Sequence, residues 1–327
     1  MPENELEFEK KDNVKALFSS FDECLRSGRF TEGLHILDEV MRLDFNYPML
    51  FDNMRAVTFW KNREAKIAAV SGSDRAHLLI GFFDTFQGFC ERKGGTAIAA
   101  FEPIRVYVFS EIRTELETGY TESGDRTLLH DLGRSLFELG EYAKAADTFE
   151  HIWKSERSNS YILALLAESL WRSGDDKRSR LFLREALFYD PAAIPVRSMT
   201  MPLFASLMQE ARTNGFVEED DALRWLGVYF EVSPECTVKR ALNDEEVLTI
   251  RKNCARLESD FKRLEARKEA EPRLLLAYFW LASHLIAARA HAGADEQRIA
   301  GELTLLVNKI VLVNEPLCRR FTALVAQ

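Results

Sequence analysis

The sequence predicts an all-α protein of stacked helical hairpins, ending in a C-terminal helical bundle or cap. Three observations predict it. Apolar residues recur at steps of three and four along much of the chain, the period of one helical face. Only 9 prolines and 16 glycines punctuate 327 residues, so few turns are obligatory. The chain also resembles itself at a spacing of 34 residues, from Gly140 to Gly174, the mark of a repeated supersecondary unit. With 23 Phe, 8 Tyr and 5 Trp in a chain that is 46% hydrophobic, it can fill one large core, two smaller ones, or a row of stacked units.

The first 13 residues, MPENELEFEKKDN, read as a flexible acidic lead. They lack the basic-then-apolar order of a signal peptide. Residues 14–125 read as degenerate helical repeats. LRSGRFTEGLHILDEV places Gly28, Phe30, Gly33, Leu37 and Val40 in one hairpin frame at about 14–47, with Phe21 at an earlier small position. MLFDNMRAVTFWKNREAKIAAV reads as a shorter hairpin turning at Asn62. Two longer helices follow, at about 74–92 and 97–118, separated by KGGT.

Self-similarity is clearest in the segment 126–236. Leu129 aligns with Leu163, Leu132 with Leu166, Leu136 with Leu170, Phe149 with Leu183 and Ile152 with Ala186. Before each glycine the apolar positions make one helical stripe, and after it a second stripe begins, so each unit is a helical hairpin. Gly133 and Ala167 fall where the first helix must approach its partner, and Ala145 and Ser179 do the same on the second.

Leu129, Leu132, Gly133, Leu136, Gly140, Tyr142, Ala145 and Phe149, followed by Leu163, Leu166, Ala167, Leu170, Gly174, Ser179, Leu183, Ala186 and Pro191, resemble the tetratricopeptide repeat. The resemblance covers two adjacent units, 126–159 and 160–193, about a fifth of the chain. The second unit departs from the pattern at Asp176, where an aromatic is usual, and at Ser179 in place of Ala. MPLFASLMQEARTNGFVEEDDALRWLGVYFEV, turning at Gly215, resembles a worn third member. The resemblance implies a right-handed superhelix of stacked hairpins whose curvature leaves a concave surface lined by first helices.

The C-terminal segment, 237–327, has another texture. Val247, Ile250, Cys254, Leu257, Phe261 and Leu264 lie at steps of 3 and 4 on one face. The expected break is at Glu271 and Pro272. An apolar helix, LLLAYFWLASHLIAARAHAG, follows, and then another at 294–313 with Leu303, Leu305, Leu306, Ile310 and Leu312. This reads as a helical cap, or as a surface for homo-oligomerisation through 243–313.

Several functions are disfavoured. A net charge of −9 leaves no general positive face for nucleic acid. No run reaches the roughly 18 apolar residues of a membrane span. Cys24, Cys90, Cys236, Cys254 and Cys318 are scattered and odd in number, without CxxC; this fits a reducing, cytoplasmic setting better than a disulfide framework or a zinc site. The histidines His35, His77, His130, His151, His284 and His291 make no metal-ligand spacing, although His284 and His291 could share a helical face. Glu218–Asp221 reads as a helix N-terminal cap with charge favoured by the helix dipole, and Gly94–Gly95 as a turn that lacks the Lys-Ser/Thr ending of a phosphate loop. No G-x-S-x-G elbow occurs. The expectation is a protein that is not an enzyme and carries no cofactor.

The resemblance nominates a protein-binding set on the first helices: His130, Arg134 and Phe137 in one unit, Tyr161, Glu168 and Trp171 in the next. Arg134 suits a carboxylate and the aromatics suit an apolar side chain. The plain alternatives are inter-repeat packing for Tyr161 and Trp171, and solvent for Arg134. Some members of the family grip a terminal carboxylate with Lys and Asn, but Leu165 departs from that pattern. An internal helix or extended peptide of another protein, bearing a basic patch to suit the acidic chain, is the expected partner. A structural subunit that associates through the C-terminal helices is the alternative.

Overall fold

The computed structural model describes residues 3–93, 97–123, 126–235, 240–289 and 295–325, with side chains from Asn13 onward except 118–127. Among these residues it holds fifteen α-helices and no strand. The chain forms two compact units, 1–148 and 149–327. The division falls inside a helix, rather than at 125/126 or 236/237, where the sequence changes texture. The KGGT glycines Gly94 and Gly95, and also Cys236 and His291, lie outside the described residues.

The first unit contains α1 (Glu3–Arg26), α2 (Phe30–Leu43), α3 (Leu50–Lys61), α4 (Glu64–Ala68), α5 (Gly72–Glu91), α6 (Phe101–Ser123), α7 (Arg126–Glu138) and the start of α8 (Tyr142–Trp153). Helix α1 begins at Glu3, so most of the stretch expected to be a flexible lead is helical. Its early acidic residues occupy the first turns, where negative charge is favoured. Packing runs mostly between neighbours, α1 on α2, α2 on α3, α5 on α6 and α6 on α7, while α1 also reaches α6. The core of this unit is aromatic: Phe21, Phe30, Trp60, Phe83, Phe86 and Phe109 are buried. Trp60 meets Phe86 edge to face at 5.6 Å, and Phe83 meets Phe109 at 4.8 Å. Buried Asn53 ties two helix starts together. It accepts from the Ala100 amide at 2.8 Å and donates to the Met49 carbonyl at 2.9 Å.

The second unit takes the rest of α8, then α9 (Ser160–Arg172), α10 (Asp176–Tyr189), two 3-10 turns (Pro191–Ala193 and Val196–Ser198), α11 (Pro202–Thr213), α12 (Glu219–Glu231), α13 (Asp244–Lys262), α14 (Leu264–Arg289) and α15 (Glu296–Val325). Sequential pairs dominate again, α9 with α10, α11 with α12, α13 with α14 and α14 with α15, and α12 additionally bridges α10 and α14. The side-chain oxygen of Asn159 accepts the Ile162 amide and that of Asp175 the Arg178 amide, so α9 and α10 each start on a cap. Ser160 Oγ donates to the Ala186 carbonyl at 2.9 Å and accepts from the Asp190 amide at 2.8 Å, tying the start of α9 to the end of α10.

One turn recurs four times among the described residues. Gly28, Gly140, Gly174 and Gly215 have φ of 71°, 79°, 93° and 96°. In each case the following residue donates its amide to the carbonyl five residues back: Arg29 to Cys24, Glu141 to Leu136, Asp175 to Leu170 and Phe216 to Ala211, at 2.8 to 3.1 Å. This is the Schellman closure of a helix, which needs a left-handed residue and so favours glycine. The aligned stripes behave as read: Leu129, Leu136, Phe149, Ile152, Leu163, Leu166, Leu170, Leu183 and Ala186 are buried, as are Ala145, Ala167 and Ser179.

Two expectations are corrected, one in the C-terminal segment and one at the start of α12. The first break lies at Arg263, which is extended at φ −88° and ψ 122°, and not at Glu271–Pro272; α14 runs through Pro272. Proline inside a helix costs about 3 kcal/mol or more, but every residue from Leu274 to Ala282 is buried, at about 1.5–3 kcal/mol for each large apolar side chain, and that burial wins. Leu264 consequently belongs to α14 and is 88% exposed, while Ile250, Cys254 and Leu257 keep the buried stripe of α13. The second correction concerns Glu218–Asp221. Glu218 occupies the N-cap position of α12 without a side-chain cap bond, while Glu219, Asp220 and Asp221 fill the first turn. Asp221 pairs instead with Lys268 at 2.6 Å and Arg224 at 2.7 Å.

Candidate interaction surfaces

The six nominated residues divide between the units, three on α7 and three on α9. On α7, Arg134 belongs to a polar ladder with α5. His77 and Asp84, two turns apart on α5, face Asp131 and Arg134, one turn apart on α7. His77 Nε2 lies 3.2 Å from Asp131 Oδ2, and Arg134 Nη2 donates to Asp84 Oδ1 at 2.6 Å. The Arg134 guanidinium also lies 5.6 Å from the centre of the Phe109 ring. Arg134 thus holds a carboxylate of its own chain, and a ligand carboxylate would compete with Asp84 for it. Burial raises the Asp131 carboxyl above its usual value, against the opposing pull of His77, Arg134 and His130.

His130 is half-buried beside this ladder. Phe137 is half-buried too and meets Tyr142 edge to face at 5.6 Å, so it helps to seat the turn at Gly140. His77 and Asp84 were not nominated from sequence. Their partners lie 54 and 50 residues away, so no local spacing signals them.

On α9 the three residues differ in kind. Tyr161 is 37% exposed at the start of the helix. Trp171 is half-buried, with the Arg172 guanidinium 5.2 Å from its ring centre. Glu168 is fully buried and does not face solvent. Its carboxylate accepts from the Thr200 amide at 2.9 Å, the Met201 amide at 3.1 Å, the Thr200 hydroxyl and Arg172 Nε at 3.2 Å. It fastens the lead-in of α11 onto α9. The same 3.6-residue period that places a side chain off its own hairpin's stripe can turn it toward the following hairpin, which is where Glu168 points.

A third surface lies among α13, α14 and α15. A groove of about 340 Å³ is lined by Cys254, Tyr278, Leu281, Leu285, Leu305 and Leu306. Its rim carries the pairs Arg251–Glu302 and Glu258–Lys309. Glu258 also accepts from the Tyr278 hydroxyl at 2.7 Å; burial works against its ionised form, but the Lys309 and Tyr278 hydrogen bonds outweigh that and lower its pKa. Leu305 and Leu312 are 66% and 82% exposed, and Leu248 is exposed on α13.

Among the described residues no group of His, Cys, Asp and Glu is placed to hold a metal ion, and no helix is long and apolar enough to cross a membrane. Cys24, Cys90, Cys254 and Cys318 are free, buried thiols.

No protein-family model, no curated protein and no solved structure matches this chain. What the geometry defines is a class: an all-α protein whose helices pack mostly in sequential pairs, a helical-repeat arrangement.

Proposed function

We propose that the chain is a non-catalytic, tetratricopeptide-like scaffold that binds a peptide or helix of another protein and so assists the assembly or regulation of a complex. The observation that carries this reading is the fourfold recurrence of one glycine-closed hairpin turn. Stacked hairpins of this kind present a long side-chain surface beyond what their cores consume. The residues assigned to the partner in this reading are His130, Arg134 and Phe137 on α7 and Tyr161 and Trp171 on α9, with Glu168 bracing α9 against the Thr200–Met201 backbone. The acidic balance favours a partner with a basic patch, and the free thiols favour a reducing, cytoplasmic setting.

The test is affinity capture from native extract with the wild type beside an Arg134→Ala/Trp171→Ala double variant of unchanged helical circular dichroism. A partner held by the wild type and lost by the variant is the expected outcome. The same partner recovered equally by both refutes the assignment of the surface.

A second reading, association of two copies through the C-terminal helices, is favoured by exposed Leu305 and Leu312 beside the groove. It predicts a mass that rises with concentration and returns to that of one chain in Leu305→Glu/Leu312→Glu. A constant single-chain mass refutes it.

A further inference from the structure

The second unit carries a partly open pocket of about 420 Å³ between α10, α14 and the segment 240–242, within the range of small-molecule sites. Its polar wall is built around Arg184, which is only 3% exposed. Arg184 Nε donates to Glu231 Oε1 at 2.5 Å. Its guanidinium carbon sits 4.0 Å from the Trp280 ring centre, and Phe188 stacks on the same ring at 3.9 Å. Two groups that close must lie on opposite faces of the indole, so the guanidinium is held in place. Yet neither terminal nitrogen of Arg184 has a hydrogen-bond partner among the described residues.

Arg240, on the same cavity, shows what such a fork does when filled. It takes two carboxylates at once, Glu185 through Nε and Nη2 and Glu246 through Nη1 and Nη2. Arg184 has one carboxylate on Nε, and the Nη pair that would take a second is vacant. The rest of the lining includes Leu242, Ala287 and Ala288, with Ser283 and His284 as further polar groups.

We propose that the cavity binds a carboxylic acid carrying a short apolar body, its carboxylate bidentate on the Nη pair of Arg184 and its body along Leu242, Ala287 and Ala288. Bidentate guanidinium–carboxylate pairing supplies the orientation. Glu231, Glu185 and Glu246 outnumber Arg184 and Arg240, a balance that penalises a phosphate dianion more than a carboxylate monoanion. The acid is either a free small molecule or the C-terminal carboxylate of a peptide ending in an apolar residue, which present the same chemistry.

The test is calorimetric titration of the full chain with hexanoate, hexanamide and inorganic phosphate, and with the peptide acetyl-Ala-Ala-Leu bearing a free or an amidated C-terminus. Saturable one-to-one binding is expected for hexanoate or the free-terminus peptide, and whichever binds more tightly identifies the source. The neutral amide of that ligand should bind about 10- to 100-fold more weakly, the worth of a hydrogen bond to a charged group. Ala288→Trp, which fills the cavity without touching the ion pair, should abolish binding. So should the double variant Arg184→Met/Glu231→Leu, which removes both charges together and avoids stranding Glu231. Binding that ignores Ala288→Trp, an amide that equals its acid, or no saturable binding of either acid overturns the proposal.

Discussion

Glu168→Ala is the most informative single substitution, because the spacing of Glu168 nominates a ligand contact while its surroundings assign a joint between hairpins. Removing the carboxylate strands the Met201 amide, a buried donor, and the Thr200 amide, which is partly buried. An orphaned buried donor costs about 1–3 kcal/mol, and a partly solvated one loses about 0.5–1.5 kcal/mol. The sum is about 1.5–4.5 kcal/mol, before any loss from Arg172 and the Thr200 hydroxyl. Against a total stability of about 5–15 kcal/mol for a protein, that is a large fraction. Because the chain holds two compact units, a single melting curve would blend them. Hydrogen exchange read by mass spectrometry over 199–213 isolates the effect. The expected outcome is protection at the start of α11 falling by about 10- to 1,000-fold, the rate equivalent of that energy when opening is local, while α5 and α6 are unchanged. Glu168→Gln, keeping one acceptor oxygen, should lose less. Unaltered protection in the alanine variant would refute the joint and return Glu168 to the set of ligand contacts.

Three further outcomes follow from the geometry. Gly174→Ala meets no atom within 4 Å but must adopt φ of 93°, so denaturant unfolding should register the backbone cost alone, about 1–2 kcal/mol. Gly28→Ala adds a Cβ placed 2.5 Å from the Tyr107 ring and should cost more; equal losses would refute the packing of that turn against α6. The Glu246 carboxyl is held below its usual value of 4.5, chiefly by its hydrogen bond to Arg240. Its contribution is therefore complete above that value and is lost as pH falls through the lower folded value, so melting temperature should drop more steeply below pH 4.5 in the wild type than in Glu246→Gln. Burial pushes the Cys90 thiol up to about 12 and the Cys254 thiol up to about 11. Iodoacetamide at pH 8 should therefore modify both only after denaturant is added, since the thiolate is the reactive form; rapid labelling of native Cys90 would contradict its burial.

The hairpins were legible because their information is local. A glycine four residues after a stripe position, followed by a new stripe, specifies both the helix end and the Schellman closure, and Gly140 and Gly174 carry that signal. Gly28 and Gly215 carry it less completely, yet they close in the same way. The break at Arg263 was not legible, because nothing in the sequence around Lys262 opposes helix, whereas Pro272 announces a break that burial of Leu274–Ala282 overrides. The α5–α7 ladder and the Glu168 joint were hidden for another reason. Each pairs residues 32 to 54 positions apart, so only the packing of helices brings the partners together. Arg184 and Arg240 looked like ordinary charges of an acidic chain until their surroundings separated a filled guanidinium fork from a vacant one.

At Asn314, with φ −155° and ψ 94°, helix α15 bends, and the Asn314 side chain accepts from the Leu317 amide to restart it. The restarted piece buries Leu317, Cys318 and Phe321. Phe321 stacks on Phe279 at 4.5 Å, and Arg320 reaches Glu210 on α11 and the Val232 carbonyl at the end of α12. By turning at Asn314, α15 lays Phe321 and Arg320 across three earlier helices and acts as a clasp, so that one bend ties α11, the end of α12 and α14 together.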